Sequence, residues 1–169
     1  MPPPLTTPRL ELRCVGLEDA AFFLRLLNEP SWLENIGDRG VRTLADAQDY
    51  IRNNILAAYQ AHGFGLYAVQ IRPDPLPIGL CGLVKRDFLS SPDLGFALLP
   101  EHCGHGYATE AARAVLQHAQ VELGIERLYA IVKSGNQRSV RLLEQLGFRR
   151  AGPCQIPPGD QVELYQLKA

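Results

Sequence analysis

The chain has 169 residues, of which 46% are apolar and 21% are charged, as in an ordinary globular protein. A net charge of −1 gives no electrostatic basis for binding nucleic acid or an anionic membrane. No apolar run approaches the ~18 residues that a membrane span requires. We therefore expect one domain with a sizeable core.

The segment 1–8, MPPPLTTP, lacks the basic region and the apolar stretch of a secretory signal. Its three consecutive prolines predict a flexible lead-in before a single domain at 9–169. The cysteines are spread along the chain without a CxxC pair, which favours reduced thiols and a cytoplasmic location. They are Cys14, Cys81, Cys103 and Cys154.

In the first third of the chain, the apolar residues predict a strand and two helices. Alternation at 9–15 indicates the strand, and an apolar face with helical spacing covers 17–28. The turn-rich stretch EPSWLENIGDRG, 29–40, predicts an irregular loop. Thr43 has the side chain of a helix N-cap, and Gly63 is a typical helix stop.

After Gly63 we expect three strands, a long helix, a buried strand, a second helix and two closing strands. This order predicts a mixed sheet with helices on its faces. A right-handed parallel crossover should run from Leu94 to Val132. The predicted elements cover 64–71, 78–85, 93–98, 108–123, 128–132, 136–146, 148–151 and 161–167.

Two glycines, Gly104 and Gly106, stand where the long helix begins. A helix N-terminus offers unpaired N–H groups, and glycine lets a phosphate or pyrophosphate approach them. The stretch has neither the Lys nor the Ser/Thr of a nucleotide triphosphate loop. Thr109 stands at the third glycine position of a dinucleotide loop. A tight turn that needs glycine for its geometry alone is the alternative.

Two segments together carry a family resemblance. DLGFALLPEHCGHGYATEAARAVLQHA, followed by SGNQRSVRLLEQLGFRRAG, resembles the GNAT family of N-acetyltransferases, and most of all its bacterial ribosomal-protein branch. The resemblance implies an α/β (α+β) fold with a mixed, mostly antiparallel sheet of six to seven strands. About four helices would flank this sheet, and the central parallel strands would splay apart.

The same resemblance implies acetyl-CoA as acetyl donor and assigns its contacts. Backbone N–H groups of the glycine turn would hold the pyrophosphate, and Asn136 would contact pantetheine. The strand before the turn would pair with the pantetheine amides, because this extended arm is able to replace a strand in a splayed slot. A bulge or splay is therefore expected near Leu98–Pro100. The implied residues are Phe96, Ala97, Leu98, Leu99, Cys103, Gly104, His105, Gly106, Tyr107 and Ala108; Glu101 departs from the family's Gln or Arg.

Acyl transfer from a thioester requires a neutral amine. At pH 7, neutralising a lysine-like amine of pKa about 10.4 costs ~4.6 kcal/mol, whereas an α-amine of pKa near 8 costs ~1.4 kcal/mol. The oxyanion that develops on the acetyl carbonyl then needs a donor, and the backbone of Leu98 or Leu99 is the natural candidate.

The resemblance matches Asp93 to a carboxylate common in the family, which predicts a general base; a solvent-facing strand residue is the alternative. Ser139 matches a serine near the sulfur, although a serine in a first helical turn also bonds backbone. Leu143 stands where many members of the family have a tyrosine that acts as a general acid. Glu34 is a weaker base candidate. This lack of a clear base favours an α-amine or another acceptor of low pKa.

Trp32, Glu34 and Tyr67 are candidates for the acceptor pocket, with a plug over the core as the alternative for Trp32. A metal site at His102, Cys103 and His105 is not expected, because zinc usually takes four ligands from separated segments. Cys103 as a nucleophile is also disfavoured, since neighbours in a tight turn rarely face each other.

The sequence therefore predicts direct acetyl transfer from acetyl-CoA to a primary amine of a small molecule or a protein N-terminus. A silent acyl-CoA-binding sensor is the alternative, and a nucleotide-binding protein is a distant third. We expect no nucleic-acid, membrane or metal partner. A homodimer stays open.

Overall fold

The computed structural model describes residues 1–157 and 159–168. Within them, eight strands form one sheet in the order β1-β2-β3-β4-β5-β6-β8-β7. Every neighbouring pair is antiparallel except β5 and β6, which are parallel as predicted. The strands are β1 Leu5–Thr6, β2 Leu10–Cys14, β3 Leu66–Ile71, β4 Pro77–Val84, β5 Asp93–Leu98, β6 Arg127–Lys133, β7 Arg149–Ile156 and β8 Asp160–Lys168.

The helices begin and end largely where the sequence signals stand. Thr43 caps α3 through a reciprocal pair of hydrogen bonds with Asp46, and Gly63 ends α4 at a φ of 75°. The helices are α1 Ala20–Leu26, α2 Pro30–Asn35, α3 Leu44–Tyr50, α4 Ala57–His62, α5 Tyr107–Gln117 and α6 Gln137–Gln145. A π-helical segment, Ile51–Leu56, joins α3 to α4, and another, His118–Glu122, extends α5.

The sheet separates two apolar cores. On one face, α5 and α6 pack through residues such as Ala112 and Leu143. On the other face, α1 to α4 pack through residues such as Phe23 and Ala47. Strand side chains alternate between the faces, so Leu94 belongs to the first core and Leu99 to the second.

Two expectations about irregular segments are wrong. The segment 29–40 contains α2, because Pro30 occupies the first helical turn, where its missing N–H costs nothing. The lead-in 1–8 packs on the sheet: it contributes β1, which pairs with β2, and the Tyr67 hydroxyl donates to the Pro3 carbonyl at 2.7 Å. With β1 the described part of the chain has eight strands, and it has six helices because α2 is added and the π-helical segment divides one predicted helix into α3 and α4.

The closing hairpin is longer than the sequence suggests. Gly152 and Pro153 break the apolar pattern, yet both lie within β7. That strand is at the edge of the sheet, where a proline is tolerated, and its register with β8 shifts next to Gly152.

Candidate active site

A slot opens between β5 and β6. Among the described residues, these strands pair at one position, Asp93 opposite Tyr129, where the Tyr129 N–H donates to the Pro92 carbonyl at 3.0 Å. Beyond it the strands part toward their carboxyl ends, which confirms the predicted splay. A bulge at Leu98–Pro100 is not needed, because β5 keeps an unbroken register with β4 as far as Leu98.

Backbone direction decides which amides of β5 face this slot. The Leu99 N–H donates to the Ile78 carbonyl on β4 at 2.8 Å. Since successive N–H groups of a strand point to opposite sides, the N–H groups of Phe96 and Leu98 point toward β6. Leu98 therefore remains a candidate oxyanion donor, whereas the prediction for the Leu99 amide is wrong.

The glycine turn lies at the open end of the slot. Gly104 and Gly106 have φ angles of 83° and 80°, in the left-handed region that favours glycine. Gly106 is the N-cap of α5, so the first N–H groups of that helix have no partner within it. The Cys103 N–H was predicted to bind the pyrophosphate. It instead donates to the Pro100 carbonyl at 3.2 Å, within the turn.

Arg9, which directly precedes β2, stabilises the glycine turn. Arg9 donates from Nη1 to the His105 carbonyl at 2.9 Å and from Nε to Glu110 at 2.7 Å. Its guanidinium lies 4.5 Å from the centre of the Tyr107 ring. Burial acts to raise the pKa of Glu110, but hydrogen bonds from Thr7 and Arg9 outweigh it, and the pKa is lowered. The turn is thus held by an ionised carboxylate on α5.

Glu101, which departs from the family's Gln or Arg, has a structural partner in α1. Arg25 of α1 donates from Nη2 to both carboxylate oxygens of Glu101, at 2.8 and 2.6 Å. This hydrogen bond lowers the pKa of Glu101. The side chain therefore connects the turn to α1.

Asn136 and Ser139 lie where β6 leads into α6. Asn136 is the N-cap of α6, and its Oδ1 accepts from the Ser139 N–H at 3.3 Å. The Asn136 amide nitrogen is a further donor at the open end of the slot. Asn136 thus caps α6 through the backbone N–H of Ser139.

Asp93 lies at the closed end of the slot and is 1% exposed, so the solvent-facing alternative is wrong. Its Oδ1 accepts from the Arg86 Nε at 2.9 Å. Burial raises the pKa of Asp93, and Arg86 opposes this rise. Asp93 and the predicted Ser139 are not neighbours, because β6 rises roughly 13 Å from Tyr129 to Lys133 before α6 begins.

The three predicted pocket residues do not lie together. Tyr67 belongs to the α5–α6 core, where burial raises its pKa to about 12. Trp32 belongs to the α1–α4 core on the opposite face. Glu34 lies on α2, and its carbonyl accepts from the Lys133 Nζ at 2.6 Å. Tyr67 therefore does not lie with the other two predicted pocket residues. The Lys133–Glu34 hydrogen bond places α2 beside the carboxyl end of β6.

Sequence reasoning missed four cationic residues that organise the site: Arg9, Arg25, Arg86 and Lys133. Each pairs with a residue that is distant in the chain or lies on another element, so no local spacing reveals the contact. The one local signal was Glu110 in the first turn of α5, where a carboxylate suits the helix dipole.

Comparison with known proteins assigns the family. The family model described as acetyltransferase (GNAT) domain matches residues 9–149. The chain therefore belongs to the GNAT acetyltransferases, which confirms the resemblance, and it is an acetyl-CoA-dependent acyltransferase.

Relatives and solved structures agree with this assignment. The uncharacterized N-acetyltransferase p20 of Bacillus licheniformis is 28% identical over 151 residues, 88% of this chain and 83% of p20. An acetyltransferase from Agrobacterium tumefaciens str. C58 superposes with a TM-score of 0.85 at 24% identity, covering 100% of this chain and 96% of that one. RimL, a ribosomal-protein alpha-N-acetyltransferase in complex with coenzyme A, has a TM-score of 0.83 at 17% identity, with 98% of each chain covered.

No helix in the described part of the chain is long and apolar enough to cross a membrane. All four cysteines are free thiols.

Proposed function

We propose that this protein transfers the acetyl group of acetyl-CoA directly to a primary amine while both substrates are bound. The observation that carries the proposal is the slot between β5 and β6, which opens toward the glycine turn at the start of α5. One end offers helix N–H groups to a pyrophosphate, and the walls offer strand amides to an extended arm.

Acetyl-CoA binding rests on backbone groups along this path. Pantetheine would pair with the slot-facing backbone groups of Phe96 and Leu98, with one of their two N–H groups left for the acetyl oxygen. Ala97 and Leu99 face the other way and would hold this segment to β4. The pyrophosphate would accept from amides between Gly104 and Ala108, which Arg9 holds in place. Asn136 would add a side-chain donor on the β6 side.

The chemistry uses the same slot. The N–H of Phe96 or Leu98 would stabilise the oxyanion as the amine nitrogen attacks the acetyl carbon. Asp93 would accept the amine proton through a water molecule, since burial raises its pKa and makes it a stronger base. The C–S bond then breaks, and Ser139 would donate a hydrogen bond to the departing thiolate.

The acceptor proposed is an α-amine, on a protein N-terminus or a small molecule. An α-amine costs ~1.4 kcal/mol to neutralise at pH 7, so one carboxylate suffices as base. The fold neighbour RimL is named for this kind of acceptor. With Cys81 buried and the other thiols free, we place the protein in the cytoplasm.

The test is thiol release from acetyl-CoA with a panel of N-terminal peptides, amino acid amides and alkylamines. We expect turnover with at least one α-amine and binding of CoA by calorimetry. Binding without turnover on any acceptor would favour the sensor alternative. Absence of CoA binding at millimolar ligand would overturn both.

A further inference from the structure

Arg86, in the segment between β4 and β5, uses one of its donor groups on Asp93 and keeps the others. Its Nε donates to the Asp93 Oδ1 at 2.9 Å, and no protein atom in the described ranges accepts from Nη1 or Nη2. The Arg86 side chain is 28% exposed. A guanidinium with free Nη groups suits a carboxylate or a phosphate, because it is able to bind two oxygens at once. Arg86 therefore points to an anion beside the proposed base.

The hydroxyl of Tyr50, at the end of α3, lies near Arg86 and near a second arginine, Arg39. Burial raises the pKa of Tyr50, and the charges of Arg39 and Arg86 oppose this rise, so both guanidinium groups are close to the phenol oxygen. The Tyr50 ring is held at the edge of the α1–α4 core by Phe23, with ring centres 6.1 Å apart. Three donors from three separate segments thus converge.

A surface cavity of about 220 Å³ opens beside these donors, and Arg39 and Tyr50 belong to its lining. Two carboxylates in the same lining already have partners. Asp49 forms an ion pair at 2.9 Å, and Asp46 accepts from the backbone N–H of Thr43 at the α3 cap. Arg39 is exposed and has no ion pair within 1–157 and 159–168. The uncompensated charge at this cavity is therefore positive.

The face of the sheet separates these donors from the coenzyme. The glycine turn begins α5, which packs on one face together with Leu94. Asp93 precedes Leu94 in β5, so its side chain points to the other face, where Tyr50 packs. The converging donors thus lie on the α1–α4 face, which is the one left for the acceptor.

Resting on the proposed function, we propose that Arg39, Tyr50 and Arg86 bind an anionic group, a carboxylate or a phosphate, on the residue that carries the acceptor amine. Arg86 contacts Asp93 directly, so an anion on Arg86 would place that amine next to the proposed base. The substrate class is then an acidic amine. A neutral analogue of the same shape should react more slowly, because it leaves the arginine donors without an anionic partner.

The test compares matched acceptors in the wild type. Aspartic acid α-amide is paired with asparagine amide, and O-phosphoserine amide with serine amide. Thiol release from acetyl-CoA gives kcat/KM for each, expressed per neutral amine because the nearby charge also shifts the amine pKa. We expect the anionic member of one pair to react at least about 10-fold faster, and that pair identifies the group as carboxylate or phosphate. Added salt should reduce this preference.

Variants locate the preference at the cavity. Arg39→Gln should reduce it about 2- to 5-fold, mainly through KM, whereas Arg39→Lys should keep most of it because the charge remains. Tyr50→Phe removes one donor and should reduce the preference about 2- to 5-fold. Arg150→Gln is the matched control, since it removes the same charge at the β7–β8 hairpin and should leave the preference unchanged.

The outcomes separate the two proposals. Equal kcat/KM values within both pairs would overturn the anion site and leave acetyl transfer standing. A preference that Arg39→Gln reduces no more than Arg150→Gln does would show a general charge effect and would also overturn the site. If no amine is acetylated, the proposed function fails and this inference fails with it.

Discussion

Burial beside Arg86 gives the slot a carboxyl group with a raised pKa. Asp93 is enclosed between the strands and the α1–α4 face, and its one ion pair does not offset the loss of water. A carboxylate of higher pKa is a stronger base, provided that it stays ionised at the working pH. At the scale of the residue, Asp93 is therefore a candidate whose role a pH profile decides.

Replacing Asp93 with Asn should lower kcat/KM by about 100-fold or more, because the amide does not take the amine proton. In the wild type, kcat/KM should fall as the pH drops through the raised pKa of Asp93, since protonation removes the base. The variant should lack the part of the acid limb that Asp93 causes and keep only the fall that protonation of the acceptor amine causes. Rates of thiol release between pH 5 and 9 measure both effects.

Arg86→Gln is the matched control for this assignment. It removes the cation that lowers the pKa of Asp93, so the acid limb should move to higher pH. Unchanged rates in Asp93→Asn across the whole range would exclude Asp93 as the base.

Gly104 and Gly124 form a second test at this scale. Both have φ in the left-handed region, 83° and 66°, and an added Cβ would meet nothing within 4 Å at either. Alanine at each position should cost roughly 1–2 kcal/mol of stability for backbone reasons alone. Only Gly104→Ala should also weaken acetyl-CoA binding, by calorimetry, because its turn offers the anion-binding amides. Equal affinities in the two variants would contradict the pyrophosphate site.

At the scale of elements, the site depends on the hydrogen bonds that connect α5 to the residues just before β2. Thr7 and Arg9 both donate to Glu110, and Arg9 also holds the His105 carbonyl. These contacts join the first strands to the glycine turn and helix α5 across sequence separations of 96 to 103 residues. The geometry of the anion site thus depends on a carboxylate that has no direct contact with the proposed ligand.

Glu110→Gln should raise the Kd for acetyl-CoA several-fold and lower the melting temperature near neutral pH. Because the folded-state pKa of Glu110 is lowered, its contribution is present above the unfolded value of about 4.3 and is lost as the pH falls. The difference in melting temperature between wild type and variant should therefore begin to shrink below about pH 4.3 and close as the pH falls through the lowered pKa of Glu110.

Glu163→Gln is the control for the loss of one ion pair. Glu163 accepts from Arg150 at 2.7 Å within the β7–β8 hairpin, on the far side of the sheet. We expect no change in acetyl-CoA affinity from this variant. A similar rise in Kd for both variants would show that the Arg9–Glu110 contact does not act through the turn.

At the scale of the molecule, the sheet consists of two antiparallel halves with little backbone pairing between them. Strands β1 to β5 form one half and β6 to β8 the other, joined at Asp93 opposite Tyr129. The core of α5 and α6 spans both halves through residues such as Leu94 and Leu128. A ligand arm in the slot would add hydrogen bonds where the strands part.

Coenzyme A should therefore stabilise the whole chain and protect specific amides. At about 100 times its Kd, a ligand adds about 2.7 kcal/mol, which raises the melting temperature by roughly 5–11 °C for a chain of this size. Hydrogen exchange at Phe96 and Leu98 should slow more than at Leu99, whose amide already bonds to β4. ATP should produce neither effect; equal stabilisation by ATP would favour the nucleotide-binding alternative.

Local patterns predicted much of the fold. Thr43, Gly63 and Gly106 marked helix ends correctly, because capping and left-handed turns depend on the residue at one position. The prediction of an irregular loop around Pro30 is wrong, since turn-forming residues also begin short helices. Strand β1 is not predicted, because two residues are too few to show a hydrophobic periodicity. Its structure comes from pairing with β2.

The order of amino acids was enough to predict most strands and helices, the glycine turn and the family. These properties follow from short-range spacing and from two motifs at a set separation. Only the folded chain shows which amides of β5 face the slot, which face of the sheet holds Tyr67 and Trp32, and which arginines pair with Asp93 and Glu110. Such contacts join residues from different elements, and their energy depends on burial and distance, which exist only once the sheet has formed.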